Sequence, residues 1–498
     1  MLQVGEQDVL FQDELKKIKR VFQVTDFKAG QAEIICSILS GNDVIASIPT
    51  WGGKSMCYQW PSSLEKTPSI VVSPLIALME DQLNGLSEVN VPAYAIHSWI
   101  EPEEREARFA GLREWRAKLL YVSPELLATS AFYEDIWRIP FQRINIDEAH
   151  CASTWGPSFR PDFMRIWLAA RRLKIGQRAA FSATIDTQIE IDIARYVGMK
   201  PGDYDRIKVD PLRENLDFSI IKIEPKLRWK NLLYTKLAHI YGELKKVKQW
   251  ASIIYCRTVD EAFEMYRIMA KTKKHDVHLY HAPLAMSLKE EALEAFSNNP
   301  KPVVVATTAF WMGIDRADVR LVIQASTPYW LIDYYQGAGR AGRDGEPARC
   351  IVLYQKDKLN RETSWILHWY PSIAFVERVY EWLKNSISSN GGGADYSLTT
   401  FLRRCEKVVE NSDKIKRPEE YMQKVKLSLH ILQAGGVVEE HPSGVVFSPF
   451  TRGGPIHQRL IELCEMKLKA EERNVKMMMQ YFEDQNPSQA KLLELLKL

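Results

Sequence analysis

"DVIASIPTWGGKSMCYQWP", residues 43–61, passes from an apolar run through a glycine pair into a stretch with helical character. Short Val/Ile-rich runs bounded by turn residues read as strands buried on both faces. A strand, a glycine loop and a helix in succession place backbone N–H groups at a helix N-terminus, where the dipole also favours an anion. Lys54 then suits the β- and γ-phosphates of a nucleotide, and Ser55 suits its Mg²⁺. Gly52 and Gly53 allow the backbone to approach the phosphates. The strict pattern asks for glycine five positions before Gly53, where Ile48 stands.

Similar runs recur outward from this one: "SIVVSP", "KLLYVSP", "RINIDEAH" and "AAFSAT", then "ASIIYC", "PVVVAT" and "VRLVIQAS". Helical stretches lie between them, which predicts parallel α/β sheets with function at the C-terminal strand ends. "KVDPLRENLDF" (208–218) divides the series into two sets. The predicted organisation is two tandem doubly wound α/β domains, 1–207 and 208–362, followed by a smaller, mostly helical region, 363–498. Within that region "SSNGGGADYS" (388–397) reads as a joint. The stretch 421–450 reads as a helix stopped at Gly435–Gly436 and a hairpin turning at Pro442-Ser443-Gly444, which suits a winged-helix-like module or a small α+β cap.

Composition bounds the function. A chain of 498 residues exceeds one hydrophobic core, and 46% hydrophobic with 26% charged residues describes a globular protein. A net charge of +3 requires any nucleic-acid contact to come from local basic patches. No apolar stretch approaches the roughly 18 residues that span a bilayer. The N-terminus lacks the order of a secretory signal, so an intracellular location is expected, nuclear in a eukaryote and cytoplasmic otherwise. The seven cysteines are scattered without a C-x-x-C pair, as befits reduced thiols.

"INIDEAH" (144–150) sets Asp147 and Glu148 at the end of an apolar strand, where adjacent carboxylates are costly unless used. Asp147 suits a phosphate-bound Mg²⁺, and Glu148 suits the orientation or deprotonation of an attacking water. In "YYQGAGRAGRDG" (334–345), Arg340 and Arg343 lie three apart and share a face if the segment after the glycines is helical. Brought from the second domain to the γ-phosphate, they would stabilise transition-state charge.

With these residues in place, the chain resembles the RecQ-type DNA helicases of helicase superfamily 2, over about residues 15 to 360. "FKAGQAEII" resembles the family's adenine-recognition element, with Gln31 as base reader. "VVSPLIALMEDQL" and "LLYVSPELL" resemble its DNA-tracking segments. "DEAHCASTWGPSFRPDF" resembles the Asp-Glu-Ala-His box running into an aromatic-rich loop. "FSAT", with Ser182 and Thr184, resembles the coupling motif. "YHAPL" resembles a second-lobe signature, and "VVVATTAFWMGIDRADVRLVIQASTP", with Asp315, resembles motif V. "YYQGAGRAGRDG" resembles motif VI.

The resemblance implies two RecA-like lobes, ATP and Mg²⁺ as ligands, and 3′-to-5′ unwinding of DNA. It implies single-stranded and duplex DNA as partners. Trp155 and Phe159 offer faces for bases, Arg160 offers charge, and His150 links this loop to the nucleotide site; each stacked base is worth roughly 1–3 kcal/mol. Trp51 and Trp311 stand where the family usually has glycine. A left-handed backbone at such a residue costs roughly 1–3 kcal/mol, and the indole of Trp51 would crowd the phosphates. An ATP-gated DNA binder with weak or lost hydrolysis is therefore the alternative, and an RNA-directed motor a further one. The retained charged residues favour the enzyme. Lys28, Val24, Gln324 and Gly337 also depart from the family's usual residues. Its four-cysteine zinc module is missing: beyond residue 360 only Cys405 and Cys464 occur, so no zinc is expected. The sequence leaves the oligomeric state open.

Overall fold

Val and Ile crowd the strand positions because branched side chains suit a pleated surface covered on both faces. In the computed structural model, seven strands form the first sheet: β1 (Val44–Ser47), β2 (Ser69–Val72), β3 (Ala93–Ile96), β4 (Leu119–Val122), β5 (Arg143–Ile146), β6 (Gln177–Ser182) and β7 (Asp205–Lys208). Their order is β3-β4-β2-β5-β6-β1-β7 and every pairing is parallel. The structure describes residues 11–496 apart from 50, 75, 98–99, 128–129, 153–162, 164–165, 225–228, 248, 312–315, 329, 356–370, 389–397, 411–417, 435–436, 442–443, 448–453 and 485.

The second sheet contains β8 (Leu216–Lys222), β9 (Ala251–Tyr255), β10 (Asp276–Tyr280), β11 (Pro302–Ala306), β12 (Val319–Gln324) and β13 (Ala348–Tyr354). Its order is β10-β11-β9-β12-β13-β8, again parallel throughout. The two expected parallel sheets are therefore present. Parallel pairing aligns the C-terminal strand ends on one edge of each sheet, which is where loops can gather into a site. β6 lies between β5 and β1, so Ser182 at its end sits between the segment following β5 and the loop following β1.

A buried cation fixes the first sheet to the helix that leaves the glycine loop, Lys54–Leu64. Arg143 in β5 is fully buried. It donates to Glu65 Oε1 at 2.6 Å, Asn145 Oδ1 at 2.9 Å, Ser62 Oγ at 2.9 Å and Gln177 Oε1 at 3.2 Å. A guanidinium with its donors so engaged can tolerate removal from water, whereas either partner alone could not.

The chain clusters into two units, Met1–Gln355 with Gln480–Leu498, and Lys356–Met479. In the second, the helices Ile373–Ser388, Leu398–Glu410 and Pro418–Ala434 bury Val376, Leu383, Phe401, Val425 and Leu432 in one core. Cys405 belongs to that core, and burial pushes its thiol up to about 12. The last of these helices stops directly before Gly435–Gly436, and β14 (Val438–His441) pairs antiparallel with β15 (Gly444–Phe447). Both features agree with the expected helix stop and hairpin.

One expected boundary needs correction. The region 363–498 is not a single body, because residues 480–498 cluster with the two sheets. The reason is aromatic burial. Tyr481 and Phe482 are both fully buried, with ring centroids 6.1 and 6.2 Å from that of Tyr334, and Phe482 stacks on Tyr354 at 5.5 Å. Such pairs contribute beyond their buried area.

Arg143→Ala should destabilise the two-sheet unit by about 3–5 kcal/mol, because Glu65 keeps its charge without its partner. Replacing Arg143 and Glu65 together with apolar residues should cost less. Urea denaturation of the three proteins measures both differences.

Candidate functional site

Gly53 caps the N-terminus of α1 (Lys54–Leu64) in a left-handed conformation, φ 71° and ψ 47°. A Cβ at Gly53 would lie 2.7 Å from Gln31 Nε2, and one at Gly52 would lie 2.4 Å from Ile48 Cγ2. The glycine pair is thus required by both backbone and space. Trp51 is not among the non-glycine residues with positive φ, which are Gln23, Asn90, Trp115, Glu148, Lys174 and Lys273. The expected left-handed strain therefore does not arise at Trp51, since Gly53 supplies that conformation two residues later. Trp311 ends a 3₁₀ turn, Thr308–Trp311.

Gln31 is buried against this loop. Its Oε1 accepts from the Lys28 backbone N–H at 2.8 Å, and its Nε2 donates to the carbonyls of Gly52 at 3.0 Å and Gly53 at 3.3 Å. Lys28 Nζ donates to the Trp51 carbonyl at 2.8 Å. Gln31, the expected base reader, thus lies directly against the glycine loop.

Lys54 begins α1 and meets the acidic pair that follows β5. Its Nζ lies 2.6 Å from Glu148 Oε1 and 3.9 Å from Asp147 Oδ1. Burial works against the charge on Lys54, but Glu148 and Asp147 outweigh it and raise its pKa. Burial likewise opposes the Glu148 carboxylate, yet Lys54 and then His150 hold it well below the usual range. Asp147 is pushed up, chiefly by burial. It accepts from the Glu148 N–H at 2.9 Å, from Tyr58 Oη at 3.3 Å and from Gln82 Nε2 at 3.4 Å. Glu148 itself has φ 48°, a left-handed backbone at a charged, non-glycine residue. Strain of this kind persists only where surrounding contacts over-determine it, and it clusters at functional sites.

His150 extends the network. Its Nδ1 lies 2.9 Å from Ser182 Oγ and 3.3 Å from Glu148 Oε2. Ser182 Oγ in turn accepts from the Thr184 N–H at 3.2 Å. Burial disfavours the imidazolium, but Cys151 and Glu148 raise the His150 pKa to about 10. An unbroken polar line therefore runs from Lys54 through Glu148 and His150 to Ser182.

Arg340 and Arg343 approach from the other sheet. The helix α2 (Leu331–Ala338) ends before them, so they do not share a helical face. Instead a turn carries them, with Gly342 at φ 51°; the Gly342 N–H donates to Val319 O at 2.8 Å and the Arg343 N–H to Ala317 O at 3.0 Å. The Arg340 charge bears on Lys54, and both arginines bear on the buried Tyr255 at the end of β9. Lys54, Asp147, Glu148, His150, Ser182 and Arg340 thus converge. Asp315, Trp155, Phe159 and Arg160 lie outside the described residues.

This donor set fits a Mg²⁺-nucleotide. The loop leaves no room for a side chain at its two glycines, an ammonium stands at the helix start with a hydroxyl at Ser55 beside it, and a carboxylate faces the ammonium. Sequence reasoning did not single out Tyr58 and Gln82. Tyr58 lies four residues after Lys54 in α1, and Gln82 sits in the segment read as DNA-tracking, so spacing alone gave no reason to pair either with Asp147.

Residues 28–191 match the DEAD/DEAH box helicase model, and residues 235–345 match the helicase conserved C-terminal domain. The chain is 36% identical over 337 residues to the ATP-dependent DNA helicase RecQ of Bacillus subtilis, covering 67% of this chain and 54% of that one. It is 33% identical over 361 residues to the ATP-dependent DNA helicase RecQ of Synechocystis, covering 70% and 71%. The chain thus spans about half the length of the Bacillus relative. In fold it is similar to Mss116p bound to single-stranded RNA and AMP-PNP, with a TM-score of 0.58 and 18% identity over 91% of this chain and 96% of that one.

Asp333 in α2 gives a pH test. Burial raises its pKa to about 7, against the pull of the Trp330 N–H and of the Arg257 and His150 charges. The folded protein keeps this proton up to about pH 7, while an unfolded aspartate loses it near 4, so stability from this group falls as pH rises between those values. Asp333→Asn should melt higher than the parent at pH 8, with the advantage shrinking as pH falls and gone only near pH 4. Thermal melts of both proteins across that range check the sign.

Proposed function

The chain belongs to the RecQ family of DNA helicases, and we propose on that premise that it hydrolyses ATP to move 3′ to 5′ along single-stranded DNA and part duplexes. The observation that carries this reading is the polar line Lys54–Glu148–His150–Ser182, with separations of 2.6, 3.3 and 2.9 Å. It joins the residue that would grip phosphate to the segment resembling the family's coupling motif.

In this reading Lys54 exchanges the Glu148 carboxylate for phosphate oxygens of ATP, and Gln31 reads the adenine. Ser55 and Asp147 would hold Mg²⁺, which would supply screening of phosphate charge, and Asp315 would join them at the nucleotide. Glu148, released from Lys54, orients water and accepts its proton. The Lys54 contact holds its pKa down, so exchanging that contact for phosphate would make it a better base. Arg340 and Arg343 stabilise charge developing on the transferred phosphoryl group. His150, whose Nδ1 lies beside both Glu148 and Ser182, passes DNA occupancy from Trp155, Phe159 and Arg160 to the water-orienting carboxylate, and Thr184 braces Ser182.

The domain assignment follows as a proposal. Residues 1–207 and 208–362 act as the two RecA-like lobes. The three helices and the β14–β15 hairpin between 373 and 447 act as a winged-helix-like module meeting the duplex. Its three-helix core followed by a two-stranded ribbon supports that reading.

The test is turnover of ATP with and without single-stranded DNA, beside RNA of the same sequence. Stimulation by DNA is expected, with a loss of about 10²–10⁴-fold in Glu148→Gln, the range typical of a removed general base. Strand separation should require a 3′ overhang. Equal stimulation by RNA, or turnover indifferent to Glu148→Gln, would reject the assignment.

A further inference from the structure

Trp51 stands where relatives of this type usually carry glycine, and the structure gives its indole a neighbour. Arg213, in the stretch between β7 and β8, sets its guanidinium carbon 5.8 Å from the centroid of the Trp51 ring. The same guanidinium donates through Nη2 to the carbonyl of Gly342, the residue between Ala341 and Arg343 in the turn that carries both arginines. Asn215 Nδ2 donates to that carbonyl as well, at 2.9 Å, and to the Glu346 carbonyl at 2.8 Å. A Cβ on Gly342 would lie 2.6 Å from Asn215 Nδ2, so the turn and residues 213–215 are closely fitted.

The backbone of Arg213 is itself anchored. Its N–H donates to Gln489 Oε1 at 2.9 Å, and Gln489 Nε2 donates to the Pro211 carbonyl at 3.4 Å. Gln489 opens the helix Gln489–Leu496 and is buried. Arg213 Nη1 and Trp51 Nε1 are both buried without a hydrogen-bond partner among the described residues. With Nη1 unbonded and the charge partly desolvated, the aromatic face is the favourable contact left to this part of the guanidinium, and planar Arg suits it better than Lys.

We propose that Arg213 is a positioning residue for the arginine turn and that Trp51 is its seat. The pair ties the glycine loop of the first sheet to the Arg340–Arg343 turn of the second. The tryptophan therefore takes part in assembling the nucleotide site, and its bulk is not a sign of a decayed loop. Glycine at position 51 offers no face for the guanidinium, so the turn would lose its tether to the first lobe while both arginines remained. This inference deepens the ATPase reading and rests on it for its catalytic consequence, although the contact itself does not.

Two readouts separate the contact from the activity. The first is hydrogen exchange at amides 340–345 in the ligand-free full chain. Trp51→Gly should speed exchange there about fivefold, a size set by loss of one partly desolvated cation–π contact. Trp51→Phe, which keeps an aromatic face, should restore most of the protection. In an Arg213→Ala background, Trp51→Gly should add nothing further. A merely local defect in the glycine loop would leave these second-lobe amides unmoved. Unchanged exchange in Trp51→Gly, or additive effects of the two substitutions, would overturn the proposal.

The second readout is DNA-stimulated turnover. Trp51→Gly and Arg213→Ala should each lower kcat about fivefold with less than a twofold change in KM for ATP, again without additivity. A shift in KM alone would assign the pair to substrate binding and overturn the positioning role. If the parent shows no DNA-stimulated turnover, the motor reading falls, and the exchange measurement still decides the Trp51–Arg213 contact.

Discussion

A lysine ammonium and a glutamate carboxylate held 2.6 Å apart at the edge of a parallel sheet are the constraint on which this structure turns. Neither group tolerates burial alone, since desolvating an unpaired charge costs several kcal/mol. Together they fix the glycine loop after β1 against the acidic segment after β5. The left-handed backbone at Glu148 lies in that same acidic segment, and His150 follows it two residues later. Any ligand that engages Lys54 must compete with Glu148, and so necessarily alters the environment of the carboxylate and of the histidine behind it.

Sheet topology makes the meeting possible. Lys54 and Glu148 are 94 residues apart in the chain. β6 separates their two strands and delivers Ser182 between them, so the FSAT segment reaches the site through strand order alone. Arg143, within β5, anchors the far end of the helix that Lys54 begins, with Glu65 and Ser62 as partners. A single buried cation thus holds the helix whose other end presents Lys54 to the acidic pair. Rigidity at one end of α1 supports geometry at the other.

Much of this was readable from residue order. Val/Ile runs with turn residues between them announced both sheets, because strands covered on two faces must be apolar throughout. The glycine pair, the lysine and the two carboxylates were identifiable because their chemistry is local: a helix start for anions, acids at a strand end. The stop of the helix Pro418–Ala434 and the hairpin after it followed from glycine and proline positions. Other features resisted such reading. The bonds from the Gln31 amide to the carbonyls of Gly52 and Gly53 have no signal in residue order, because they join elements 21 and 22 residues apart. The spacing of Arg340 and Arg343 suits one helical face, yet α2 ends first and a glycine turn carries both. Tyr481 and Phe482 looked like part of a separate terminal region until their rings were found against Tyr334 and Tyr354.

The chain's own order of residues decided which segments become strands, where the loops turn and which groups carry charge, since periodicity and backbone preference act over a few neighbours. Only the folded arrangement decided which of those groups meet. The pairing of Lys54 with Glu148, the bond from His150 to Ser182 and the seat of Arg213 on Trp51 each join residues from separate elements. Their strength comes from shared burial, and burial is a property of the assembled core that no stretch of sequence possesses by itself.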